Sequence, residues 1–308
     1  MKRYLQIYLI FLTLVPFGFS YSSSRPFPER IISLSPNITE IIYGLGAMEK
    51  VVGVTLYSDF PPEVEGLPKV GGWIDPNLEA ILELKPDLVI MIEDQNEIFG
   101  DKIRKLGLNT LSVDCNGSIK DIADSIEQIG RALGKEAEAK KLAEDMDSDL
   151  EEIRTKTKNI TLKRLLFVVG RNPGTLEDIY VIGRTGFMNE MITIAGGENV
   201  IDSDRLAVKV SREAILKLNP EVIIEINHEK LDKKDKVLAE WGELKRVSAV
   251  SNKEIYSVSS TVLLHPSQRV VEGTRILARI LHPEIFDRYG RVYDRPLIHK
   301  GTKDEHEF

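Results

Sequence analysis

Apolar residues fall along the chain in short blocks with two different spacings. Runs rich in branched aliphatics at Arg30–Leu34, Val51–Thr55, Leu88–Ile92, Thr110–Asp114, Leu165–Val169, Val222–Ile226 and Glu254–Val258 predict buried strands. Segments with helical spacing lie between them, at Ile38–Leu45, Asp101–Leu106, Gly186–Ala195 and Gln268–Leu281. Such alternation predicts parallel or mostly parallel sheets with helices packed on them. One stretch breaks the rhythm. Ile119, Ile122, Ile126, Ile129 and Leu133 step by three and four residues up to Gly134, a helix-ending signal. A second helix then runs from Lys135 to Thr157, with Ala139, Leu142, Met146, Leu150 and Ile153 on its inner side. At 1.5 Å per residue it would span about 35 Å. The pattern predicts two α/β lobes joined by one long rigid helix instead of a flexible tether, with small lobe motion.

A repeat strengthens the two-lobe reading. Residues 77–90 read NLEAILELKPDLVI and residues 211–224 read SREAILKLNPEVII, identical at seven of fourteen positions. Both parse as a short helix, a proline that stops it, and a buried strand. Common αβ joints could look alike by chance. The shared Glu-Ala-Ile-Leu favours duplication or a shared constraint.

Composition narrows the class. The 308 residues are 42% hydrophobic and 29% charged with a net charge of −7, as in a globular protein of two ordinary domains. No basic patch points to nucleic acid. Lys2 and Arg3, the apolar run to Phe19 and the Gly18-Phe19-Ser20 exit fit a secretory signal. An uncleaved anchor is the alternative. The only cysteine, Cys115, does not follow that signal, so no lipobox cysteine is present, and the expectation is a periplasmic protein without a lipid. Cys115 reads as a buried small residue or a reactive thiol. The expected division is 1–20 signal, 25–134 first lobe, 135–158 linking helix, 159–285 second lobe and 286–308 a charged, loosely docked tail.

Catalytic signatures are missing from the sequence: no GxxxxGK, no HExxH, no GxSxG, and no metal spacing among the five histidines. Glu93, Asp94 and Glu97 fit acid–base roles or a solvated loop. Ligands of open α/β sheets collect beyond the carboxyl ends of strands. There the sequence places Asn37, Tyr57, Trp73, Arg171, Asn172, Thr261 and His265. Tyr57 and Trp73 suit a large planar ligand or a partly buried surface. Arg171 fits an anionic ligand group or a solvated strand end.

The runs RIISLSPNITEIIYGLGAMEKVVGVTLYSDFPP, GGWIDPNLEAILELKPDLVI, GENVI and VSREAILKLNPEVII resemble the periplasmic binding proteins of ABC importers for cobalamin and iron complexes (siderophores, haem), nearest to the cobalamin branch. The likeness covers about Arg30 to Leu281. It implies a class III periplasmic-binding-protein fold with a helical backbone, and a monomer that delivers its ligand to a permease dimer. It implies no enzymatic activity and no resident cofactor; the ligand would be a corrinoid, haem or an iron chelate. By that resemblance Asn37, Tyr57 and Trp73 fall on cleft positions, with Thr261 and His265 near late-loop contacts. Glu79 and Glu213 fall on two glutamates that meet permease arginines, and each also fits a favourable first-turn acid. Family aromatics are replaced by Ile92, Thr175 and Ala207. For haem, Tyr57 or His265 would be the axial candidate. An exported enzyme working between the lobes, and a signalling adaptor that presents its ligand to a receptor, stay open as other classes.

Overall fold

The computed structural model describes residues 27–227, 239–286 and 298–300. The predicted signal and most of the charged tail lie outside them. Two sheets organise the chain. In the first, β1 (Ile31–Ser33), β2 (Val51–Val54), β3 (Leu88–Ile92) and β4 (Thr110–Val113) run parallel in the order β2-β1-β3-β4. The second contains β5 (Lys163–Gly170), β6 (Ile179–Ile182), β7 (Gly197–Asn199), β8 (Ala207–Val210), β9 (Val222–Asn227), β10 (Ile255–Ser259) and β11 (Ile298–Lys300). Its order is β11-β10-β9-β5-β6-β8, with β7 also on β5. The central β10, β9 and β5 are parallel, β6 and β11 run against them, and β8, antiparallel to β6, runs with them again. The last corrects one expectation: Ile298–Lys300 of the supposed loose tail pairs with Val258–Tyr256 as an edge strand.

Helices α1 (Pro36–Gly44), α2 (Leu78–Glu83), α3 (Glu93–Gln95), α4 (Asp101–Lys105), α5 (Ile119–Leu133) and α6 (Glu136–Thr157) belong to the first half and the link. The second half holds α7 (Phe187–Ile194), α8 (Arg212–Leu218), α9 (Ser248–Ser251), α10 (Ser260–Leu264), α11 (Val270–Leu281) and α12 (Pro283–Phe286). Side chains alternate across both sheets. Ile31, Ile90 and Ile92 share one large core with Leu165, Phe167, Ile224 and the inner faces of α5, α6 and α11. The opposite faces carry separate cores, Ile32, Val89 and Met91 under Ile81 of α2, and Leu166, Val168 and Ile223 under Ile215 of α8. Strands buried on both faces explain the nearly continuous aliphatic runs.

Helices α5 and α6 form a hairpin through Gly134, which sits at φ +70° in the left-handed region. They approach so closely that a Cβ on Gly130 would lie 2.2 Å from Ala139 Cβ. At its far end α6 is tied to the second lobe by Thr157 Oγ1, which donates to Ile194 O at 2.8 Å, and by the Arg275–Asp149 pair at 3.0 Å.

The sequence repeat is a repeat of hydrogen bonds. Asn77 and Ser211 cap α2 and α8 by accepting the N–H of Ala80 (3.0 Å) and Ala214 (3.2 Å). Both helices end in a left-handed residue before proline, Lys85 (φ 47°) and Asn219 (φ 44°). An arginine at the start of each lobe's first strand then closes the helix end. Arg30 donates to Leu84 O at 2.6 Å and to Lys85 O at 3.1 Å. Arg164 donates to Leu218 O at 2.6 Å and to Asn219 O at 3.1 Å. In return the acid after each proline accepts the arginine's backbone N–H, Asp87 at 3.0 Å and Glu221 at 2.9 Å. These clamps satisfy the carbonyls a helix leaves unpaired at its C-terminus. Arg30→Ala and Arg164→Ala should each lower stability by about 1 kcal/mol, and the double variant by the sum, because the sites share no partner. Urea unfolding of the three variants measures this.

Candidate functional site

The carboxyl ends of β1, β2 and β3 carry three loops side by side. Leu56 N–H donates to Gly71 O at 3.0 Å, which joins the loop bearing Tyr57 to the turn bearing Trp73. That turn needs glycine: at Gly71 (φ +102°) a Cβ would lie 2.6 Å from Asn77 N. The Tyr57 loop is fixed from below. Lys69 Nζ donates to Ser58 O (3.0 Å) and Val64 O (3.2 Å), and burial lowers the Lys69 pKa against the opposing pull of Asp59 and Glu65. Tyr57 N–H donates to Thr55 Oγ1 at 2.9 Å, and a hydroxyl chain runs from Ser33 to Thr39 (2.8 Å) to Ser58 (3.3 Å). On this framework Leu56, Tyr57 and Ile74 are 60%, 61% and 63% exposed, while Trp73 is half-buried against the core. Sequence reasoning found the two aromatics and missed Leu56 and Ile74, although each is next to one of them. Leu56, Tyr57, Trp73 and Ile74 thus stand on two loops joined by a backbone bond, and we refer to these apolar residues as the shelf of the first lobe.

The second-lobe candidates behave differently. Arg171 is not a free guanidinium: its side chain is 4% exposed and bonds Glu225 (2.9 Å), Glu240 (2.6 Å) and Thr175 O (2.6 Å). Trp241 Nε1 donates to the other Glu225 oxygen at 2.6 Å. The expectation of a ligand-facing arginine is therefore corrected. A carboxylate inside a central strand has to be paired, and Arg171, just past the end of the neighbouring β5, pairs it. Asn172 is exposed and donates to Asp178 at 2.9 Å. Thr261 lies in α10, with its side chain outside the description.

Asn37 and His265 are drawn into the contact between lobes. Asn37 is buried, accepts from the Ser35 hydroxyl, and directs Nδ2 to Cys115 Sγ (2.8 Å) and Pro266 O (3.5 Å). It is a buried strut between α1, β4's end and the second lobe, at the inter-lobe position where the sequence placed a cleft contact. Cys115 is buried, and burial pushes its thiol up to about 12, so it is the small inert residue of the two readings. His265 Nδ1 lies 2.9 Å from Glu40 Oε1. Glu40, 1% exposed on α1, also accepts from Ser267 Oγ and from Arg269 Nη1 (3.3 Å), and its backbone carbonyl accepts from Gln268 (2.7 Å). Sequence reasoning passed over Glu40. Its signal was a lone acid in the apolar helix PNITEIIYG.

Glu79 and Glu213 are exposed at equivalent first-turn positions of α2 and α8. The Glu213 pKa is lowered, first by its own backbone N–H and then by the Ser211 hydroxyl. Among the described residues no group of His, Cys, Asp and Glu is placed to hold a metal, and no helix is long and apolar enough to cross a membrane.

Comparison with known proteins fits this architecture. The profile described as periplasmic binding protein matches residues 31–261. The uncharacterized ABC transporter substrate-binding lipoprotein YvrC of Bacillus subtilis is 35% identical over 268 residues, 84% of this chain and 82% of that one. The solved periplasmic vitamin B12 binding protein BtuF of Vibrio cholerae aligns with TM-score 0.69 and 28% identity, over 82% of this chain and 96% of that one. The haem-binding protein RhuT of Roseiflexus sp. RS-1 aligns with TM-score 0.70 and 25% identity, over 84% and 98%.

Removing the Glu40 carboxylate takes the shared acceptor from His265, Ser267 and Arg269 Nη1, and leaves Arg269 only its pair with Glu272. Glu40→Ala should lower stability by about 3 kcal/mol. Glu40→Gln should lose less, because its amide oxygen still accepts from Ser267. Urea unfolding of both variants checks the order.

Proposed function

The chain belongs to the periplasmic binding protein family, as a substrate-binding protein of the vitamin B12, haem and iron-complex ABC transporters, and from that premise we propose that its ligand is a corrinoid held between the two lobes. The observation that carries this reading is the apolar shelf of Leu56, Tyr57, Trp73 and Ile74, backed by buried hydrogen bonds. Exposed apolar side chains on a hydrogen-bonded frame suit one face of a large macrocycle and lose little entropy when they are covered. With Arg171 committed to Glu225 and Glu240, the end of β5 offers no free guanidinium from that residue to an anionic ligand. That favours a macrocycle bearing neutral amides over one bearing carboxylates. Similarity to the vitamin B12 binding protein supports the same choice. Haem is the second reading, supported by the RhuT likeness and by exposed Tyr57 as an axial oxygen, His265 being engaged by Glu40.

In this reading residues 25–134 and 159–285 are the two lobes, 135–158 is the strut, and the protein is an exported monomer that hands its ligand to a permease dimer. Glu79 and Glu213 meet the permease, one from each lobe, on helices capped at both ends. Members of the family are transport proteins, so turnover between the lobes forms no part of the proposal.

Calorimetric titration of the full chain with cyanocobalamin, cobinamide, haemin and ferrichrome should show one corrinoid per protein, with a change in Trp73 fluorescence. Binding of haemin alone would replace the corrinoid, and binding of none would remove the whole reading. The double variant Glu79→Arg, Glu213→Arg should abolish uptake in cells while ligand affinity stays at the wild-type value. Normal uptake by that variant overturns the docking assignment.

A further inference from the structure

Gln95 is fully buried in α3, directly beyond β3, and its carboxamide reaches three separate stretches of backbone. Nε2 donates to Leu34 O, past the end of β1, at 2.9 Å. The same nitrogen donates to Trp73 O at 2.9 Å. Oε1 accepts the Ile92 N–H, at the last residue of β3, at 3.2 Å. Both amide hydrogens and the amide oxygen are used. An ionised glutamate has no donor and leucine has neither donor nor acceptor, so neither could replace this set. The base of the side chain is held as well. Asn96 donates to Glu93 at 3.0 Å, Arg104 donates to Asn96 at 2.7 Å and to Thr110 at 3.2 Å, and Phe99 is buried in the core below.

We propose that Gln95 is a positioning residue for the ligand shelf: by binding the Trp73 carbonyl and the ends of β1 and β3 at once, it sets where the Trp73–Ile74 turn stands, and ligand affinity depends on it although its own amide is buried out of a ligand's reach. Across the Trp73 turn the support has two sides. Gly71 O is fixed to Leu56 on the β2 side, and Trp73 O to Gln95 on the β3 side. Without the second bond, the half-buried indole keeps its core contact but loses the constraint on its backbone. The other two partners then become buried polar groups without a mate, so water has reason to enter beneath the turn. A site held about 1 Å more loosely binds less tightly with every contact still present.

The affinity arm of the test rests on the shelf being the ligand surface; the fluorescence arm does not. The chain has two tryptophans, and Trp241 is fully buried, so acrylamide quenching of the ligand-free full chain reads Trp73. In Gln95→Leu the quenching constant of the accessible component should rise towards that of free tryptophan. Affinity for cyanocobalamin should fall about tenfold, the equivalent of about 1.4 kcal/mol. A lowered melting temperature with unchanged Trp73 quenching would make Gln95 a core strut only and overturn the proposal, as would wild-type quenching and affinity together. Should Gln95→Leu fail to fold, Gln95→Asn carries the same readouts, because a carboxamide one methylene shorter cannot span all three partners. Should the wild type bind no cyanocobalamin, the corrinoid reading fails, and the quenching result alone decides the role of Gln95.

Discussion

The arrangement of the two lobes hangs on one buried carboxylate. Glu40 leaves the first lobe on α1 and is met by Ser267, His265 and Arg269 of the second, with Gln268 on its backbone carbonyl. A carboxylate removed from water demands such donors, and here every side-chain donor comes across the lobe boundary. The two halves therefore cannot turn or slide freely without stranding a charge. Arg269 extends the constraint, since its guanidinium lies 3.9 Å from the centre of the Phe60 ring, which meets Tyr43 edge-on at 5.5 Å. Phe60 belongs to the loop that carries Tyr57. The shelf is thus held by its own lobe through Lys69 and by the opposite lobe through Arg269.

The duplicated clamps have a related consequence. Arg30 with Asp87, and Arg164 with Glu221, fix α2 and α8 to the first strand of their own lobes by the same set of bonds. Each short helix is capped in front and clamped behind, so its first-turn glutamate moves only with its lobe. The Glu40 contact then sets the spacing of Glu79 and Glu213 for the whole molecule. Identical local frames also explain why half of the repeat positions are kept. They are the apolar positions of the helix and strand and the proline between them; the cap (Asn77, Ser211) and the acid behind the proline (Asp87, Glu221) are kept in chemistry but not in identity, and Glu79 and Glu213 are left over as exposed residues that no clamp requires.

Much of this was legible in the sequence, for reasons that differ by element. The parallel strands are buried on both faces, so their aliphatic runs stand out. The hairpin of α5 and α6 announced itself through strict helical spacing and Gly134. The antiparallel pair β6 and β8 at one side of the second sheet did not. They are four residues each, and Tyr180 and Lys209 face solvent, which dilutes the alternation. Arg171 misled because its partner is set by register. Val168 stands opposite Glu225 in the parallel pair, a fact no linear reading contains. A glutamate inside the run VIIEIN was nevertheless a visible clue that some cation had to be near. Asn37 and His265 were found as polar residues at strand ends, but the structure spends them between lobes, because the same edge that faces a ligand also faces the other half.

A stiff frame changes what ligand capture and release require. The α6 rod is anchored at Thr157 and Asp149 and packed tightly across Gly130, and the lobes are locked at Glu40. Little ordering entropy remains to be lost when a ligand arrives, so on the proposed reading affinity would follow from how well the preformed shelf fits. The same stiffness opposes release, because spreading the lobes strains the buried Glu40 donors. A transporter that takes the ligand must then supply that work by gripping both lobes at once. Under the proposed docking, the two exposed glutamates on equivalent, doubly fixed helices would give it one rigid handle on each.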